Sequence, residues 1–152
     1  MDITIVTLRD QAILPVYQTE HAAGMDLHAC IDSALTLRPM QRMMVPTGIA
    51  IELPTGFEAQ IRARSGLSIK HGITMVNGIG TIDSDYRGEV GVLVVNLSDT
   101  PFVIEPDMRI AQMVVARHEH VTWRRAQTLG RSERESSGYG STGTDAIIDT
   151  ST

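Results

Sequence analysis

Two carboxylates two residues apart, Asp83 and Asp85, stand in a glycine-rich stretch that also carries one aromatic ring: Asn77-Gly78-Ile79-Gly80-Thr81-Ile82-Asp83-Ser84-Asp85-Tyr86-Arg87-Gly88. Glycines let a main chain approach a ligand closely. If the stretch is an extended hairpin, residues i and i+2 share a face, so both carboxylates point the same way and one of them is a candidate base. Such a hairpin can aim backbone donors and acceptors at a ligand held against the ring. The same composition also makes a surface turn with solvated carboxylates, and alone the segment reads that way first.

Other segments carry chemistry of their own. Arg62-Ala63-Arg64-Ser65-Gly66-Leu67-Ser68-Ile69-Lys70-His71-Gly72 offers a guanidinium fork at Arg64, a hydroxyl at Ser65 and an accessible backbone N–H at Gly66. A short helix starting there would favour an anion at its free N–H groups, although many surface turns share this pattern. Ala22-Ala23-Gly24-Met25-Asp26-Leu27-His28 sets a lone Asp beside a glycine, as a turn before a strand would. Arg109-Ile110-Ala111-Gln112 opens an apolar strand with two polar side chains that strict alternation sends to different faces. His118 and His120 would share a strand face and could bind a metal, but no third ligand is evident, and an exposed polar strand is the simpler reading.

These groups need a scaffold. At 152 residues the chain is expected to form one domain with a real core. Aromatics make up only 4%, so the core must rely on Ile, Val, Leu and Met. Short apolar runs recur between turn residues: Ile3 to Leu8, Leu35 to Leu37, Val45 to Leu53, Phe57 to Arg62, Val90 to Leu97 and Arg109 to Val115. Many short strands with Gly/Pro punctuation predict an all-β sandwich, barrel or jelly roll, with one brief helix over Ser65–Lys70. From Gly130 onward Gly and Ser dominate, which predicts a flexible arm over 130–152 beyond a β domain over 1–129. Two Arg residues and Tyr139 in that arm suit a flap that pairs with phosphate and stacks on a flat ligand. The net charge of −5 argues against broad nucleic-acid binding. One cysteine, Cys30, excludes an intrachain disulfide and fits a reducing cytosol. No signal peptide or membrane span is visible, so a cytoplasmic protein with no membrane partner is expected.

Read in order, five of these segments resemble the motifs of the homotrimeric deoxyuridine triphosphatase (dUTPase) family. They are Ala23-Gly24-Met25-Asp26-Leu27, Arg64-Ser65-Gly66-Leu67, the Asn77–Gly88 hairpin, Arg109-Ile110-Ala111-Gln112, and Arg134 through Gly143. Any one of them is poor evidence; five in order over nearly the whole chain are specific.

The resemblance implies a jelly-roll or distorted β-barrel assembled as a threefold trimer with active sites shared between subunits. It implies hydrolysis of dUTP to dUMP and pyrophosphate with Mg²⁺, which limits uracil incorporation into DNA and supplies dUMP for thymidylate synthesis. By the same resemblance Asp83 is the base that activates water, Gln112 helps hold the water or the α-phosphate, and Asp26 touches the Mg²⁺ shell through a water. Arg64, Ser65 and Gly66 form the phosphate cradle, and Arg134 grips the γ-phosphate. Asn77, Gly80, Thr81 and Ile82 recognise uracil, Tyr86 packs under the deoxyribose, and Tyr139 stacks on the base. Asp85 is expected to be structural.

This sequence departs from the family pattern at Tyr139, where Phe is usual, and at Glu135, where a Gly often follows the arm arginine. Stacking should survive the first change, whereas the second sets a negative charge near a triphosphate. Two other readings remain at this point: a dCTP deaminase of the same fold, and a trimeric nucleotide-sensing module without catalysis.

Overall fold

The computed structural model describes residues 1–132 and 134–136. Apolar β-branched runs broken by turn residues fold into short strands, and those runs set the element order. In the first half these are β1 Thr4–Thr7, β2 Val16–Tyr17, β3 Met25–His28, β4 Leu35–Leu37, β5 Arg42–Pro46, β6 Ile49–Glu52 and β7 Phe57–Ala63. Helix α1 follows at Ser65–His71, then β8 Ile73–Met75, β9 Gly80–Ile82, β10 Gly91–Asn96, β11 Phe102–Ile104 and β12 Arg109–Arg117. The strands pair antiparallel in the orders β2-β3-β12-β7-β9, β5-β10-β8, β1-β6 and β11-β4. Apart from β2 and β3, neighbours in a sheet are not consecutive in sequence, the crossed connectivity of a β jelly roll.

All four sheets feed one apolar core. Leu27, Leu37, Val45, Ile49, Ile61, Val92, Val94 and Ile104 are almost fully buried. On β7 the alternation is visible directly: Ala59 and Ile61 face inward, while Glu58, Gln60 and Arg62 form a hydrogen-bonded ladder on the other face. Asn96, wholly buried, has its amide satisfied on both sides: Nδ2 donates to the carbonyls of Leu37 and Thr100, and Oδ1 accepts from Ser98. A buried amide of this kind is tolerated because each polar atom is paired. Cys30 is buried, and burial pushes its thiol up from the usual value, so it behaves as a small core side chain.

Three departures from simple strand reading position the site. The run from Val45 to Leu53 is two strands, because Gly48 takes φ +70° and turns the chain between β5 and β6. The segment expected as a hairpin passes between sheets instead: β8 pairs with β10, and β9 pairs with β7. Strand β12 carries a bulge between Arg109 and Ala111 against β3. Helix α1 matches the expected brief helix and ends at Gly72, whose φ of +66° closes it through N–H bonds to Leu67 and Ser68 carbonyls.

The chain divides into two compact units, Met1–His120 and a smaller one from Val121 onward. In the second, Ser132 and Glu135 bond reciprocally: the Ser132 N–H donates to Glu135 Oε1 at 3.0 Å, and the Glu135 N–H to Ser132 Oγ at 3.0 Å. Residues 137–152, including Tyr139, lie outside the described residues. Among the described residues no helix is long and apolar enough to cross a membrane.

The αL turn at Gly72 also has no room for a side chain, since a Cβ there would lie 2.8 Å from the Ser98 nitrogen. Gly72→Ala is therefore expected to lower unfolding free energy by about 1–3 kcal/mol, read as an earlier urea midpoint at unchanged slope; an unchanged midpoint would contradict the assignment.

Candidate active site

The first cluster is built by β3, β12 and the end of β7. Asp26 lies opposite Gln112, and Gln112 lies opposite Arg62 on its other side. Directly paired residues share a face, so these three side chains emerge together. The β12 bulge adds one residue and reverses the parity of the strand before it. Arg109 thereby pairs with His28, two positions from Asp26, and joins the same face as Gln112. Strict alternation had sent Arg109 and Gln112 to opposite faces; the bulge is the correction. It also explains why the adjacent residues Ile110 and Ala111 are both buried.

Asp26 is only 2% exposed, and two guanidinium groups hold it. Arg109 Nη1 donates to Oδ2 at 3.1 Å, and Arg64 Nε lies 3.2 Å from Oδ1. The second contact is an ion pair without hydrogen-bond alignment, because Oδ1 has no hydrogen-bond partner among the described residues. Arg64 Nη1 also donates to the Arg109 carbonyl at 3.0 Å, which locks the two arginines together. Its side chain stays one-quarter exposed, so the guanidinium edge remains reachable. Beside this pair His28 is half-buried; desolvation dominates and pushes its pKa below the usual value, against the pull of Asp26.

Ser65 and Gly66 begin α1 directly after Arg64, which is extended and caps the helix without a side-chain bond. Helical geometry leaves the first N–H groups without intrahelical acceptors. A Cβ placed on Gly66 would meet no atom within 4 Å, so the main chain there is open to a ligand.

The second cluster is built by β9 and the turn after it. Thr81, Ile82, Asp83 and Tyr86 line one cleft of about 270 Å³, together with Met44, Glu89, Gly91 and Leu93. Asp83 stands just past the strand end and is exposed. Its carbonyl accepts the Tyr86 N–H at 3.1 Å, closing a turn. Arg87 Nη1 fastens that turn through the carbonyls of Ser84 and Tyr86. Strand alternation therefore does not extend to Asp85, which sits in the turn; the expectation that both carboxylates share a strand face fails because β9 stops at Ile82. Gly80 packs on Ile61 and beside the Asn77 amide: a Cβ on it would lie 3.2 Å from Ile61 Cβ and 3.4 Å from Asn77 Nδ2. Gly88 leaves space for the Tyr86 ring, since a Cβ there would fall 2.3 Å from its hydroxyl.

One chain brings these residues into two groups. Arg64, Ser65 and Gly66 adjoin Asp26 and Gln112, while Asn77, Gly80, Thr81, Ile82, Asp83 and Tyr86 stand along β9 and its turns. Gly80 pairs with Ile61, three residues before Arg64, and Ile82 with Ala59, five before it, so the groups adjoin at Gly80 and diverge toward Asp83, with Ile82 roughly 17 Å along the strand from Arg64. Arg134 belongs to the smaller unit and is described there alone. His118 and His120 fall beyond β12, so their shared-face argument lapses. No group of three or more His, Cys, Asp or Glu suited to a metal occurs among the described residues. Glu89 had no signal in the sequence and is found only through its contacts; Arg109, already marked in the fourth segment, gains its place on the Gln112 face through the bulge.

The chain is thus of the β jelly-roll class, with an arginine-bound carboxylate and an acidic cleft on the edge strand of the same sheet. The dUTPase family model matches residues 10–143. The chain belongs to the dUTPase family. It is 54% identical over 130 residues to the deoxyuridine 5′-triphosphate nucleotidohydrolase of Rickettsia felis, covering 86% of this chain and 88% of that one. The Rickettsia conorii protein of the same name is 53% identical over the same shares. The structure of the Staphylococcus bacteriophage 80alpha dUTPase with dUpNHpp superposes with a TM-score of 0.86 at 23% identity, covering 94% of this chain and 99% of that one. A phage phi11 dUTPase mutant, described with a structural Mg(II) ion, gives 0.75 at 19% identity, covering 84% and 98%. Both likenesses support the fold.

Removing Asp26 would leave Arg64 and Arg109 facing each other. Asp26→Ala is expected to cost about 2–3 kcal/mol, below the range for a fully buried pair because Arg109 reaches solvent. Urea unfolding measures it, and a cost under about 0.5 kcal/mol would show that the pair is incidental.

Proposed function

We propose that this chain hydrolyses dUTP to dUMP and pyrophosphate as a subunit of a homotrimer whose active sites are shared. The observation that carries the reading is the cleft in which Asp83 meets Thr81, Ile82 and Tyr86, in a chain of the dUTPase family. Ile82, the strand residue before Asp83, pairs five residues before Arg64, roughly 17 Å along the strand, and that distance between Asp83 and its own chain's cradle supports sharing: the cradle that serves Asp83 comes from another subunit.

Water attacks the α-phosphorus, and the bond to the bridging oxygen of the pyrophosphate breaks. Asp83 orients the water and takes its proton; an exposed carboxylate at a strand end can then release that proton to solvent. Arg64, with the Ser65 hydroxyl and the open main chain at Gly66, holds the phosphate oxygens. Arg64 reaches them with its exposed edge while its Nε stays on Asp26. Gln112, beside Asp26 on the same face, positions the water or the α-phosphate.

The donor set fits Mg²⁺ in one manner only. Asp26 Oδ1, a buried oxygen with no hydrogen bond among the described residues, can accept from a metal-bound water. A cage made of protein ligands is absent from the described residues, which suits an ion held mainly by phosphate and water. When bound, Mg²⁺ supplies charge neutralisation across the phosphates.

Uracil recognition falls to the main chain of Gly80 to Ile82 and the Asn77 amide, with no room for a thymine methyl. Tyr86 rejects a ribose 2′-hydroxyl, because an added hydroxyl there clashes and loses water. Arg134 grips the γ-phosphate, and Tyr139 stacks on the base as the 130–152 arm closes over the domain formed by 1–129. Glu135 is turned onto the Ser132 N–H, which draws its charge into a local turn. The single buried thiol fits the cytoplasm. A deaminase is not favoured: Glu89, the glutamate in the cleft, already accepts a hydrogen bond from the Gly48 N–H at 2.7 Å. A module without catalysis is not favoured either, since the chain carries both proposed catalytic residues, Asp83 and Gln112.

Two measurements test the reading. Pyrophosphate release should be fast from dUTP with Mg²⁺ and slower by about 10²-fold or more from dCTP, dTTP and UTP; equal rates on dUTP and dTTP would overturn the recognition argument. Asp83→Asn should bind a non-hydrolysable dUTP analogue with unchanged affinity yet lose about 10²–10⁴-fold in kcat; undiminished turnover would remove Asp83 as the base.

A further inference from the structure

The Tyr86 hydroxyl donates to the backbone carbonyl of Glu89 at 3.0 Å. The Glu89 side chain in turn holds a point outside the cleft: Oε1 accepts the Gly48 N–H at 2.7 Å. Gly48 is itself closely packed. Its φ of +70° places it where a Cβ would lie 2.7 Å from Cys30 Sγ and 2.8 Å from Ala12 Cβ, and its carbonyl accepts the Leu8 N–H at 2.7 Å. The next residue repeats the attachment: the Val90 N–H donates to the Ile49 carbonyl at 2.8 Å, and the Thr47 hydroxyl donates to the Val90 carbonyl. Residues 89 and 90 are thus stitched to the 47–49 turn at three points just before β10 begins, and Tyr86 hangs from the first of them.

We infer that Glu89 is a positioning residue for sugar discrimination: by accepting the Gly48 N–H it fixes the carbonyl that orients the Tyr86 ring. This rests on the reading of Tyr86 as the wall beneath the deoxyribose. The important property of Glu89 is an acceptor oxygen at the correct reach, and its charge is dispensable. A glutamine keeps that oxygen; an alanine removes it; an aspartate falls one methylene short. Without the acceptor, the Gly48 N–H is left unpaired in a half-buried site, the segment at 89 loosens, and the ring can swing away from the sugar.

The test compares kcat/KM for dUTP and for UTP in the unaltered enzyme, Glu89→Ala, Glu89→Gln, Tyr86→Phe and the Glu89→Ala/Tyr86→Phe double variant. Glu89→Ala should lower the dUTP-to-UTP preference by about five- to tenfold, within the range expected for loss of one hydrogen bond. Glu89→Gln should restore the preference. In the Tyr86→Phe background, Glu89→Ala should produce no further loss, since both act through one contact. If Glu89→Ala does not fold, Glu89→Asp takes its place with the same expectation.

Parallel shifts in Glu89→Ala and Glu89→Gln would overturn the proposal, because charge and not the acceptor would then be responsible. Additive losses in the double variant, or an unchanged preference in Glu89→Ala, would overturn it as well. If Tyr86→Phe itself leaves the preference intact, the sugar-wall reading of Tyr86 fails and this inference falls with it. A Tyr86→Phe loss without a Glu89→Ala loss sinks the Glu89 inference alone.

Discussion

A buried carboxylate between two guanidinium groups organises one face of this molecule. Taking charges out of water costs several kcal/mol per ion and is tolerated only with close, well-placed partners. Asp26 meets that condition because three separated segments converge on it: β3 carries it, β7 delivers Arg64 at its end, and β12 delivers Arg109. The bond from Arg64 to the Arg109 carbonyl makes the arrangement mutual. Ser65 and Gly66 take their place from Arg64, and Gln112 from its pairing with Asp26, so the geometry of the proposed cradle follows from this one constraint.

The overall acidity of the chain conceals the local field. A net charge of −5 describes the whole sequence, yet Arg62, Arg64 and Arg109 emerge on one sheet face around a single neutralised carboxylate. That face is cationic despite the total. The Asp83 cleft is the opposite case, with Glu89 and Asp83 along its wall. A triphosphate suits the first surface and is repelled by the second, whereas a neutral pyrimidine suits the second.

Much of this could be read from residues. Apolar runs gave β4, β7, β10 and β12, and Ser65-Gly66 preceded by Arg64 gave the brief helix. The fold class followed from punctuation by Gly and Pro, and family membership from ordered motifs. Other features depend on contacts that no local pattern encodes. Strands β2 and β9 are too short to show alternation, and β3 reads as a turn because Asp26 interrupts its apolar residues. The left-handed turn at Gly48 that splits the run sits against Cys30 and Ala12, residues far away in sequence that leave no room for a side chain there. Asp85 leaves the strand because Arg87 closes the turn behind Asp83. The hydrogen bond of Glu89 crosses 41 positions. Tertiary partners decide each of these, so single-segment reasoning could not reach them.

The bulge in β12 has a consequence for how this strand tolerates change. From Ala111 onward inward and outward positions follow one phase; Arg109 and Ile110, at the start of the strand, follow the opposite one, with two consecutive buried residues, Ile110 and Ala111, marking the junction. A substitution profile across the strand should therefore consist of two half-patterns out of step by one residue. Averaged over the whole length, their periodicities partly cancel, and the segment looks less ordered than it is. A strand whose inside and outside exchange at one residue can hold a core on one side and present both Arg109 and Gln112 on the other, which uniform alternation forbids.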